Sequence, residues 1–132
     1  MKLRPMKMSD AMLMLEWKNY PETRKFAIVS SRKIKLQDHL RWLPKNLKYF
    51  KIIEEDGIAL GAIRVENREI SIWIDRALWN LGYAKMAIKR VARKGYRAKI
   101  VNDNKASIAA FKACGFKQVL CFANLDYCIY KK

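Results

Sequence analysis

Residues 66–116 read ENREISIWIDRALWNLGYAKMAIKRVARKGYRAKIVNDNKASIAAFKACGF, and their order decides the fold. From Glu69 to Asp75 the chain alternates. Glu69, Ser71, Trp73 and Asp75 fall on one face, and Ile70, Ile72 and Ile74 on the other. A period of two predicts a strand with two distinct faces. A short connection leads to Gly82, and Ala84–Val91 carries helical spacing. Tyr96–Val101 reads as a second strand. Asn104–Ala113 reads as a second helix, stopped by Gly115 and followed by a strand from Phe116. A strand, a glycine turn and a helix start bring free backbone N–H groups and the positive end of a helix dipole together, which suits an anion.

Upstream, Lys2–Met6 predicts a first strand, with Pro5 tolerated at its edge or end. Ser9 is the candidate N-cap of a mostly apolar helix, with Asp10 in its first turn. That helix ends near Tyr20, because Pro21 disfavours helix at the residue before it. A second helix covers Leu36–Leu43 and precedes Pro44. Tyr49–Glu54 and Ile58–Val65 are strands around Glu55-Asp56-Gly57, a hairpin signal. Asn67-Arg68 turns into the strand at Glu69. Two short strands close the chain, ending in Tyr127–Tyr130. The expected order is β-α-α-β-β-β-α-β-α-β-β, one α/β (α+β) domain over residues 1–132.

Composition bounds the function. No apolar run reaches the length of a membrane span, and Met1–Asp10 is too charged for a signal peptide, so a cytoplasmic protein is expected. Cys114, Cys121 and Cys128 are odd in number and lack metal-ligand spacing. They read as small apolar fillers in a reducing compartment, and no metal is expected. The formal net charge is +16. Arg76, Lys85, Lys89, Arg90, Arg93, Lys94, Arg97 and Lys99 lie between residues 76 and 102 with no acid among them. Such a balance points to an anionic substrate or a nucleic acid, against the plainer reading of a solvated basic helix face.

Trp79-Asn80-Leu81-Gly82-Tyr83-Ala84, followed by Asn104, Ser107, Phe111, Gly115 and Phe116, resembles the GNAT superfamily of acyl-CoA-dependent N-acyltransferases. The first run is similar to the family's pyrophosphate loop, Arg/Gln-x-x-Gly-x-Gly/Ala. The second is similar to its Asn-x-x-Ser-x-x-x-Tyr/Phe-x-x-x-Gly-Phe signature. The resemblance implies a central mixed, mostly antiparallel sheet flanked by helices, and acetyl-CoA as cosubstrate. It implies that backbone near Trp73, Ile74 and Asp75 holds the pantetheine and polarises the thioester carbonyl. It further implies that the amides of Asn80–Ala84 cradle the pyrophosphate, and that Asn104, Ser107 and Phe111 flank the cofactor arm. Trp79 departs from the Arg/Gln of the loop, and Phe111 from the Tyr that serves many members as general acid.

An amine attacking a thioester must lose a proton while charge builds on the carbonyl oxygen. Glu69 is the candidate base; its structural alternative is an exposed strand-end charge. His39, the lone histidine, titrates in a useful range, against the alternative of local packing. Tyr83, Tyr127 and Tyr130 are the hydroxyls available to replace a missing acid. Glu16-Trp17-Lys18-Asn19 with Thr23-Arg24, then His39-Leu40-Arg41-Trp42, is similar to a GNAT subgroup that acetylates nucleotide-linked 4-amino sugars on the route to pseudaminic acid. Ribosomal-protein N-terminal acetyltransferases share parts of it. Arg24, Trp17, Trp42 and His39 are therefore the expected acceptor-site residues. Three functions follow as expectations: acetylation of a small amine, best an amino sugar on a nucleotide; acetylation of a protein N-terminus, a lysine or a nucleic-acid-associated amine; or a non-catalytic basic module of GNAT shape.

Overall fold

The computed structural model describes residues 1–28 and 30–132. Alternating apolar residues build seven strands into one sheet. The strands are β1 (Lys2–Pro5), β2 (Phe50–Glu55), β3 (Ile58–Glu66), β4 (Glu69–Ile74), β5 (Arg97–Val101), β6 (Lys117–Phe122) and β7 (Tyr127–Lys131). Their spatial order is β1-β2-β3-β4-β5-β7-β6. Among the described residues, only the β4–β5 neighbours run parallel; the other pairs are antiparallel.

The helices α1 (Ala11–Asn19), α2 (Pro21–Lys25) and α3 (Leu36–Trp42) precede β2; α4 (Tyr83–Val91) and α5 (Lys105–Ala113) flank β5. The sheet's two faces pack different helices. Ile53, Ile63, Ile70 and Ile100 join Ile88 of α4 and Phe111 of α5 in one core. Phe50, Ile52 and Ala62 join Met14 and Trp17 of α1, with Leu43 just past α3, in the other. The expected split of β4 holds: Ile70, Ile72 and Ile74 face α4 and α5, while Trp73 faces α1. Two tight turns set the register of β2, β3 and β4. Asp56 and Gly57 have φ of 52° and 78°, and Asn67 and Arg68 have 50° and 65°. Positive φ at both central residues matches the strands' right-handed twist.

Two expectations are corrected. Ser9 caps nothing: Met8–Asp10 forms a separate 3-10 turn, and the Asp10 carboxylate accepts the Lys7 N–H at 2.8 Å. Asp10 wins because it also takes a bidentate pair from Arg4, with both oxygens at 2.9 Å. The first helix ends at Asn19, as expected from Pro21, and a further short helix then starts at Pro21. Tyr20 is extended (ψ 131°) and Pro21 opens the short α2, where a missing N–H costs nothing. Finally, Cys121 and Cys128 are not separate fillers. They lie opposite each other in the β6–β7 register and form a disulfide; Cys114 alone is a free, buried thiol. The seven-residue spacing is that of a hairpin around the turn Ala123–Leu125.

Asp10→Ala should cost about 2 kcal/mol, since it removes two hydrogen bonds from Arg4, which keeps its pair with Glu54 at 2.6 Å, and uncaps the Lys7 N–H. The Arg4 hydrogen bonds hold the Asp10 carboxyl below its ordinary value, against the opposing effect of burial. Its contribution is therefore complete above the unfolded carboxyl's pKa and fades as pH falls through the lowered folded value. Urea melts at about pH 7 and about pH 3 check this: the deficit of the variant should shrink at the lower pH.

Candidate active site

The parallel join is brief. β4 and β5 pair only at Glu69 and Arg97, with the Arg97 N–H donating to the Arg68 carbonyl at 2.8 Å. The Asp75 N–H donates to the Leu60 carbonyl at 2.9 Å. The alternation of an antiparallel ladder then turns the backbone of Trp73 and Asp75 towards β3, and that of Ile70, Ile72 and Ile74 towards β5. Past Glu69 the two strands part, so Ile72 and Ile74 present backbone groups to a gap through the sheet. Groups of this kind need partners. One has been found within the chain: the Trp79 indole N–H donates to the Ile74 carbonyl at 2.8 Å.

At the open end of the gap the chain makes a loop. Asp75 Oδ1 accepts from the Ala77 N–H at 3.1 Å and holds the turn Arg76–Leu78. Asn80 (φ 65°) and Gly82 (φ 86°) are left-handed, and α4 starts at Tyr83 with no side chain capping it. Its first N–H groups stay available to an anion. A Cβ built on Gly82 meets nothing within 4 Å. The chain's own atoms leave that space open; the backbone conformation is what calls for glycine.

The last turn of α1 roofs the gap from the other face. Trp17 Nε1 donates to Asp75 Oδ2 at 3.2 Å. The Tyr20 ring meets Trp79 edge-on, 6.2 Å between centroids. Arg76 lies 4.3 Å over Tyr20 and pairs with Glu22 of α2 at 2.9 Å. Between them, Lys18 points into a box formed by Trp42, Phe50 and Trp73.

A family model described as the acetyltransferase (GNAT) domain matches residues 1–117. The chain belongs to the GNAT acetyltransferase family. Solved GNAT-like structures agree in fold across the whole chain. A domain from Methanocaldococcus jannaschii is 21% identical, with TM-score 0.82 over 99% of this chain and 96% of that one. A ribosomal-protein-alanine N-acetyltransferase from Brucella melitensis is 17% identical, with TM-score 0.76 over 100% and 99%. A spermidine N-acetyltransferase from Vibrio cholerae, solved with CoA and spermine, is 13% identical, with TM-score 0.79 over 98% and 92%. A search of curated protein sequences returned no match.

Within this GNAT domain, an acyltransferase by family, the expected residues divide. Asn80–Ala84, Ile74 and Trp79 come together at the open end of the gap. Asn104 caps α5, its side chain accepting the Ser107 N–H at 3.3 Å. Phe111 turns into the core, edge-on to Phe116 at 5.0 Å. Glu69 stands at the closed end, about 13 Å along the strand from Trp73, with Lys99 at 3.5 Å and Arg97 at 3.9 Å. Trp17 is buried outright, and its indole serves Asp75. Arg24 Nε is spent on the Asn19 carbonyl at 3.2 Å. His39 is buried, its Nε2 2.8 Å from the Ala11 carbonyl and its ring stacked on Trp42. Burial lowers its pKa. The Tyr83 hydroxyl donates to Glu55 at 2.8 Å, which raises its pKa, and Tyr130 is buried in the core. Sequence reasoning passed over Lys18 and Gly61. Lys18 stands in the quoted Trp17-Lys18-Asn19 run, but only the fold assembles its aromatic surroundings. Among the described residues no group of three or more His, Cys, Asp or Glu could hold a metal ion, and no helix is long and apolar enough to cross a membrane.

Proposed function

We propose that this domain transfers an acetyl group from acetyl-CoA to a primary amine by direct attack on the thioester. The observation that carries the proposal is the gap between β4 and β5, lined by the backbone of Ile72 and Ile74, with an uncapped helix start at its mouth. In this reading the amides of residues 80–84 hold the pyrophosphate, with Gly82 permitting close approach and Lys85 adding charge. The backbone of Ile72 and Ile74 aligns the pantetheine, and an N–H there stabilises the carbonyl oxygen as charge develops. Asn104 and Ser107 flank the arm from the start of α5. Phe111 has no proton to give, and a thiol with a pKa of roughly 8.5 leaves as thiolate without one. A GNAT-fold neighbour solved with CoA and spermine supports both the donor and an amine acceptor.

The acceptor proposed is an amine on an anionic carrier, best an amino sugar linked to a nucleotide. Lys85, Lys89, Arg90, Arg93 and Lys94, which pair with no carboxylate among the described residues, support the anionic part. Glu69 is the proposed base, acting through water along the Ser71 and Trp73 face, since it stands too far from Trp73 for direct contact. Glu69→Gln should lower kcat about 100-fold or more with little change in KM. A pH–rate profile identical to that of the unsubstituted enzyme would sink the assignment.

Calorimetric titration with acetyl-CoA and CoA, followed by an amine screen led by nucleotide amino sugars, tests the whole. Micromolar cofactor binding and turnover of such an amine are expected. No cofactor binding at low salt overturns the proposal. Turnover of protein N-termini alone would move the acceptor to the macromolecular class.

A further inference from the structure

Lys18 is the one amine in the roof over the gap, and nothing in the reaction above uses it. Its Nζ lies 3.8 Å from the ring centroid of Trp42, 5.5 Å from Trp73 and 5.6 Å from Phe50. Among the described residues no carboxylate pairs with it. The residues on either side of it anchor the turn to the gap: Trp17 to Asp75, and Tyr20 to Trp79, whose indole reaches the Ile74 carbonyl. Trp73 itself adjoins Ile74 on β4. The lysine thus sits on the face from which an acceptor must approach, at the end of a long flexible stem.

We propose that Lys18 is an internal acetyl acceptor, a modification site that the domain fills from its own acetyl-CoA. The proposal rests on the acetyl-CoA reading above. In the step, the neutral Lys18 nitrogen attacks the thioester carbonyl carbon. A C–N bond forms, the C–S bond breaks, and its electron pair leaves on sulfur as the CoA thiolate. The proton lost from nitrogen passes to solvent. The product is an uncharged acetamide, which keeps the ring contacts and removes a cation from the acceptor face.

Two physical points favour this amine over the other lysines. Its aromatic box restricts it to few orientations, whereas an exposed lysine must be caught in passing. Burial, and then the charge of Arg64, push its pKa down to about 8. Near pH 8 about half of it is free base, on the order of 100 times the fraction in an exposed lysine of ordinary pKa. The groups facing it are Arg64 from β3, His39 from α3, and the uncharged Phe50 and Trp73 from β2 and β4.

The experiment incubates the full chain with acetyl-CoA and no added amine, with cofactor binding measured separately by calorimetry. Intact mass and peptide mapping should show one acetyl group, on Lys18. It should appear at a rate independent of protein concentration and levelling off above about pH 8. Lys18→Arg keeps a cation over the rings and should take up at least about tenfold less acetyl, while Lys25→Arg on the neighbouring α2 should behave as the parent. Cofactor binding without acetyl on Lys18 overturns the inference and leaves the proposed function standing; so does acetyl spread over the exposed lysines. Absence of cofactor binding overturns both.

Discussion

Gly61→Val should lower the melting temperature by about 10–15 °C, the largest stability loss expected of a single substitution here. Gly61 lies on β3 opposite Ile74. A Cβ at that position would stand 2.3 Å from the Trp73 carbonyl oxygen, with Ile74 Cδ1 at 3.0 Å and Ile74 Cα at 3.1 Å. Two of those atoms are backbone and cannot turn aside. Relief means pulling β4 off β3, the strand pairing that supports the gap, at a cost of about 4 kcal/mol or more. Gly61→Ala should show much of the same loss, because the clash begins at Cβ. Thermal and urea unfolding of both variants provide the check. Parent-like stability in Gly61→Ala would refute the argument. Cofactor affinity should fall along with stability in both, as the Ile74 backbone shifts.

Gly61 also marks the limit of what could be read in advance. The two-faced β4 was legible because period-two alternation is local and its faces meet different helices. The Asp56-Gly57 hairpin and the Asn104 cap were legible for the same reason: each is decided within a few residues. The close approach at Gly61 depends on the partner strand, and a strand glycine alone does not announce it. Trp79 was visible as a departure from the loop pattern. Its destination, the Ile74 carbonyl, depends on how the loop returns over the strand end. Lys18 takes its surroundings from α3, β2 and β4 at once, and no spacing along the chain encodes that. An odd count of cysteines and an expected reducing compartment led to the reading of separate fillers, whereas the hairpin register sets Cys121 and Cys128 opposite each other.

Gly82→Val should weaken acetyl-CoA binding by about 100-fold or more. The loop amides are the proposed ligands of the pyrophosphate, and each charge-assisted hydrogen bond lost removes about 1.5–3 kcal/mol. Two such losses already exceed a factor of about 100. Backbone strain must be separated from this effect. A β-branched residue at φ 86° is disfavoured by about 1–3 kcal/mol whatever surrounds it. Gly57 supplies the control: its φ is 78°, a Cβ there also meets nothing within 4 Å, and it lies in the β2–β3 hairpin turn. Gly57→Val should show a similar stability loss and unchanged cofactor affinity. Calorimetry on the pair decides. Equal affinity in both variants would remove the loop from the cofactor site.

The single β4–β5 ladder pair divides the sheet where the sequence itself divides. Strands β1 to β4 come from residues 2–74, and β5 to β7 from residues 97–131. Each half-sheet is made of consecutive chain, closed by its own hairpins. The halves are bound mainly through the core under α4 and α5, with one rung of ladder between them. A ligand lying in the gap would supply the missing rungs. It would then act as a tie between two halves of one folding unit, and its affinity and the cooperativity of unfolding would be two measures of the same coupling.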